Sequence, residues 1–143
     1  MGTGATSEHF SDRELACHHC GLNGCTPELV GALEELRALI SESEGRDTPI
    51  LVDDAYRCSA HNATLANAAR GSQHVLGNAA DIRVENFTAV RLYSYVRRIP
   101  AFKGIGRDDH RNYVHVDVRE EPARWCYSAA GSTIAWTEPE LTA

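Results

Sequence analysis

The sequence predicts an α+β fold, a small single domain with a mainly antiparallel sheet and flanking helices. Helix-forming segments come first, and a mixture weighted toward strands follows. No repeat, low-complexity segment or linker divides the chain. At 143 residues, with 43% apolar and 24% charged, it is long enough for a core and ordinary in composition.

The elements follow in order. "SDRE" from Ser11 to Glu14 has the form of a capping box and starts a short helix that ends near Cys17. "TPELVGALEELRALISESEG" is the clearest helix: Thr26 caps it, Pro27 suits its first position and Gly45 stops it. Leu29, Leu33, Leu36 and Ile40 form its apolar stripe. Pro49 leads into "ILVDD", a short β run, and "HNATLANAAR" reads as a short helix closed by Gly71. "AADIRV" reads as a strand. "TAVRLYSYVRRI" is a helix capped by Thr88 and ended by Pro100. "GIG" and "NYVHVDVR" supply the last strands. Residues 9–127 make the domain, leaving 1–8 and 128–143 as flexible or loosely packed tails, with Trp136 as a candidate to fold back.

The formal charge of −6 and the scatter of basic residues, with Arg97, Arg98 and Lys103 the closest cluster, argue against a nucleic-acid partner. No apolar run is long enough to span a membrane, and "MGTGATSEHF" lacks the apolar centre of a signal peptide. A monomer is expected. The five cysteines, Cys17, Cys20, Cys25, Cys58 and Cys126, cannot all pair within one chain. "CHHCGLNGC" leaves three readings open: half of a zinc knot, a disulfide to Cys58, or free thiols.

The chemistry is concentrated in two stretches. In "NYVHVDVR", alternation sends Val114, Val116 and Val118 to one face and Tyr113, His115 and Asp117 to the other. That second face is either solvated or a site. In "GSQHVLGNAADIRV", Gly77 and the alanines let the backbone pass close to a bound group, and Asp81 stands at the mouth of an apolar strand. His74, Asp81 and His115 together make a set of two histidines and one carboxylate. Such a set leaves the fourth position of a zinc ion open, as catalytic sites do.

The pattern S-x-H-x-x-G-x-A-x-D, carried by Ser72, His74, Gly77, Ala79 and Asp81, resembles the metal motif of the zinc D-Ala-D-Ala carboxypeptidase family. That family takes in related murein-cleaving enzymes and shares its fold with the hedgehog signalling domain. "HFSDRELACHHCG", "DDAYRCSAHN" and "GIGRDDHRNYVHVDVR" are similar to the same family, so the resemblance runs from about His9 to Trp125. It implies one zinc per chain on His74, Asp81 and His115. Arg57 would bind the substrate carbonyl and the charge that grows on it, and Ser72 and Gln73 would shape a substrate-side turn. It further implies hydrolysis of peptidoglycan stem peptides or cross-links containing D-amino acids, in a cell wall, a periplasm or a phage.

One position departs from the family pattern. An acidic residue serving as general base often stands three positions before the last ligand, and here that residue is Asn112, which cannot accept a proton. Asp117 is the nearest substitute, as base or as a group orienting an imidazole. Asp108, Asp109 and His110 are the others. Two further functions compete. His115-Val116-Asp117 is half of an iron facial triad, but no histidine follows residue 115 to complete it. A binding module that kept zinc and lost its base is the other.

Overall fold

The helical segments begin where the sequence places their caps. In the computed structural model, which describes residues 4–65 and 72–141, α1 spans Asp12–Leu15 behind a complete Ser11/Glu14 capping box. α2 spans Pro27–Glu44 between Thr26, whose hydroxyl accepts from the Leu29 amide, and Gly45 at φ 73°. Its Leu29, Leu33, Leu36 and Ile40 are fully buried, and each contributes about 1.5–3 kcal/mol relative to exposure. α4 spans Ala89–Val96 behind Thr88 and ends before Pro100 is reached.

The helix expected over "HNATLANAAR" starts earlier, as α3, Ser59–Thr64, because the Cys58 sulfur accepts from the His61 amide and serves as its N-cap. Leu65 closes it; residues 66–71, including the expected Gly71 stop, lie outside the described residues.

Six strands form one sheet in the order β1-β2-β4-β3-β5-β6. They are β1 Leu51–Asp54, β2 Ala79–Arg83, β3 Gly104–Asp108, β4 Tyr113–Asp117, β5 Ala123–Tyr127 and β6 Thr133–Ala135. Neighbours are antiparallel except β3 and β5, which run parallel. Ala80, Ile82, Ile105, Val114 and Val116 carry the core face of the sheet, joined by Leu33 and Leu36 of α2 and Leu92 and Val96 of α4.

The strands β5 and β6 have no counterpart in the sequence reading, which left 128–143 as a tail. "ARWCY" lacks clean alternation, and the three residues of β6 are all exposed, so neither run carries a period-two apolar signal. Trp136 does fold back, its ring 5.0 Å from that of Tyr93 in an edge-on arrangement. At the other end, the amides of Gly4 and Ala5 donate to the carbonyls of Asn23 and Cys25, so residues 4 and 5 are docked on that loop.

Candidate functional site

The sheet face opposite the core carries the polar side chains, and it is not a solvated face. His115 is 6% exposed and Asp117 is fully buried, so β4 is buried on both sides. Cross-strand register builds the site as a row: Asp54 opposite Asp81, Asp81 opposite His115, His115 opposite Gly106, and Gly106 opposite Trp125. Five strands therefore deliver two carboxylates, an imidazole, a gap and an indole side by side.

His74 reaches this row from the loop before β2. Its shape depends on Gly77, at φ 78°, where a Cβ would sit 1.9 Å from the Gly24 carbonyl oxygen. The Thr26 amide closes the contact by donating to the Gly77 carbonyl. The small residues expected to admit a bound group here serve a different purpose. Gly77 makes room for another loop of the chain, and Ala79 and Ala80 are fully buried in the strand. This packing fixes the loop so that His74 points at Asp81.

The donor atoms converge. Asp81 Oδ1 lies 3.4 Å from His74 Nε2 and 3.1 Å from His115 Nδ1, and the three ligand atoms lie within 4.8 Å of one another. Bonds of about 2.0–2.1 Å in a tetrahedron set such atoms roughly 3.3 Å apart, so the spacing fits a zinc ion. The far edge of each ring is also held. His74 Nδ1 donates to the Ala55 carbonyl at 2.7 Å, which leaves the Nε2 lone pair facing Asp81. His115 Nε2 meets Asp117 Oδ2 at 2.7 Å.

Asp117 is gripped in turn. Arg119 donates to it from Nε at 2.8 Å and from Nη2 at 2.7 Å, and the Arg119 amide adds a third bond at 3.2 Å. Its carboxylate lies over Gly104, where a Cβ would fall 2.1 Å from Oδ1. Burial would raise both carboxyls, yet the two histidines hold Asp81, and Arg119 and His115 hold Asp117, well below the usual carboxylate range. Burial opposes charge on His115, but its bonds to Asp117 and Asp81 outweigh that and push it up to about 9.

A profile of the peptidase M15 family matches residues 8–117, a stretch that contains His74, Asp81, His115 and, as its last residue, Asp117. The chain belongs to the peptidase M15 family. No curated protein matches it at a significant level. M15 peptidases are metal-dependent, and the His74, Asp81 and His115 cluster is a donor set of that kind on the α+β fold of the family. Among the described residues no helix is long and apolar enough to cross a membrane.

The remaining residues singled out by the M15 resemblance divide. Arg57 is 8% exposed; its Nη2 pairs with Asp54 at 2.5 Å and its Nη1 donates to Asn62 at 2.9 Å. Its amide donates to the His74 carbonyl, and Asp54 stands opposite Asp81, so Arg57 is tied to both His74 and Asp81 through their neighbours. The buried Nε has no acceptor among the described residues. Asn112, at φ 56°, makes a left-handed turn ahead of β4 and accepts from the Ala89 amide. The carboxylate of Asp108 accepts from the amides of His110 and Arg111 and from the Arg111 side chain, and Asp109 pairs with Arg107. His110 is exposed in the turn.

Three contributors escaped the sequence reading. Arg119 had a signal, since it follows Asp117 by two and continues the His115 face. Trp125, whose ring lies 5.2 Å from that of His115, had none, because β5 had none. The Ala55 carbonyl is a main-chain group that no side-chain pattern reports. Beyond His115 the face ends in Tyr113 and Tyr127, with rings 5.6 Å apart. Burial and the charge of Asp81 push both phenols up, Tyr127 to about 12.

Proposed function

We propose that the protein is a zinc-dependent hydrolase of peptide bonds in peptidoglycan stem peptides or cross-links containing D-amino acids. The observation that carries this reading is the convergence of His74 Nε2, Asp81 Oδ1 and His115 Nδ1, with each imidazole pinned at its other nitrogen. All three donors come from one chain, which supports one zinc per chain. Zinc, when bound there, supplies a Lewis acid that activates water at neutral pH.

The chain's own residues would do the rest. Ala55 and Asp117 orient the two imidazoles and fix which nitrogen faces the ion. Of the two roles left open for Asp117, its contacts support the orienting one, because its oxygens are occupied by His115 and Arg119. Arg57, held beside the site by Asp54 and Asn62, would bring its positive charge to the scissile carbonyl and to the charge that develops on it, an effect of about 3 kcal/mol per donor. Trp125 would wall the His115 side against water.

The test is digestion of defined muropeptides, with wild type, chelated protein and His115→Ala compared by product analysis. Release of D-amino acid or of a cut cross-link by the zinc form alone supports the proposal. Cleavage that persists at full rate in His115→Ala would overturn it.

One observation favours a second reading, a zinc-holding binding module without turnover. The position where many relatives carry an acidic base is Asn112, whose side chain is bound to the α4 amide of Ala89. Zinc binding with muropeptide affinity and no product, under the same digestion, would select it.

A further inference from the structure

We propose that Cys17, Cys20 and Cys58, together with His19, hold a second zinc ion that ties the loop after α1 to the first turn of α3. The three sulfurs lie within 4.8 Å of one another, and His19 Nδ1 lies 3.4 Å from Cys58 Sγ. A tetrahedral zinc with bonds of about 2.3 Å to sulfur and 2.0 Å to nitrogen spaces its ligands roughly 3.8 Å and 3.5 Å apart. The His19–Cys58 contact matches the second spacing, and the three sulfurs are close enough for one ion to draw together.

The backbone is arranged for thiolates. The amides of His19 and Cys58 donate to Cys17 Sγ at 3.4 Å and 3.3 Å, and the His61 amide donates to Cys58 Sγ at 3.4 Å. Amide donors aimed at sulfur favour the charged form, which is the form that binds metal. The turn that brings Cys20 back toward Cys17 is closed by the Gly21 amide on the Cys17 carbonyl, with Gly21 at φ 77°. His61 stacks on His19 at 5.7 Å with the rings 10° from parallel, which steadies the fourth ligand.

The other two cysteines are not built this way. Cys25 Sγ faces the Leu15 carbonyl, and Cys126 faces Thr137; each sits alone. Four protein donors with no open position mark a structural centre rather than a second catalytic one. Its place in the fold gives it a function. Cys58 directly follows Arg57, so an ion on Cys58 would clamp the segment that presents the guanidinium to the first site.

The experiment is zinc analysis combined with cobalt substitution. The exposed Cys20 is the residue to change, because Cys20→Ser disturbs no packing, whereas Cys17 is buried. Wild type should hold about two zinc equivalents and His115→Ala and Cys20→Ser about one each. In cobalt-loaded His115→Ala, a thiolate-to-cobalt charge-transfer band should be present, absent after adding Cys20→Ser, and weakened by His19→Ala but not by His61→Ala. A wild type with one zinc, lost wholly in His115→Ala, would overturn the second centre. So would a protein mass lower by one pair of hydrogens after purification with zinc, since that marks a disulfide in the same place. Because the two centres are removed by different variants, failure of this one leaves the peptidase reading standing, and the reverse holds.

Discussion

Asp117 Oδ2 lies 2.7 Å from His115 Nε2, on the ring edge opposite the nitrogen that faces Asp81. A carboxylate there fixes the ring and raises the basicity of the other nitrogen. Asp117→Asn keeps the shape and removes the charge. Zinc affinity should fall about 10–100-fold, while turnover per bound zinc stays near wild type. A chelator-competition titration run beside muropeptide kinetics separates the two quantities. Full zinc with turnover down by a hundredfold or more would make Asp117 the base instead.

Arg57→Ala should keep zinc and lose roughly a hundredfold in kcat, because the guanidinium acts on the substrate carbonyl. Its loss also frees the Asp54 carboxylate, a half-buried charge, so a modest fall in melting temperature accompanies it. Arg57→Lys restores charge but not the forked geometry, and should recover the melting temperature more than the rate. Equal recovery of both would reduce Arg57 to an ion-pair partner.

Gly104→Ala tests the floor under Asp117. A Cβ 2.1 Å from Oδ1 forces the carboxylate off its seat, and overpacking of this kind costs about 1–3 kcal/mol. The variant should melt lower and bind zinc more weakly than wild type, with zinc losses resembling those of Asp117→Asn. Unchanged zinc affinity in a folded Gly104→Ala protein would mean that Asp117 does not hold His115.

His115 gives a pH signature in chelated protein. Its value of about 9 in the folded chain stands above an unfolded value near 6.5. The stabilisation it contributes is therefore complete below pH ~6.5 and disappears as pH rises toward 9. The melting-temperature gap between chelated wild type and chelated His115→Ala should narrow across that window. With zinc present the trend reverses, since protons and metal compete for the same imidazole and affinity increases with pH.

The sequence made the helix starts and the candidate donors readable for a local reason. Thr26, Pro27 and Gly45 declare their helix within a few residues, and the motif from Ser72 to Asp81 is contiguous. What it concealed depends on distant chain. The role of Gly77 needs Gly24, the placement of Asp117 needs Gly104, and β5 is a strand because β3 receives it. The sequence offered Cys58 as a partner of the cysteine loop without saying which cysteine it meets, and the fold sets it beside Cys17 and Cys20.

The parallel pairing of β3 with β5 has a consequence for the order of assembly. Antiparallel neighbours joined by a turn, such as β3 and β4, form early and locally, whereas a parallel neighbour requires the chain to cross over first. His115 and Asp81 meet across β4 and β2, which do not wait for that crossing. Trp125 does. The indole is thus the part of the site that lies last along the chain, and shortening the chain before β5 would remove it while all three donors stay.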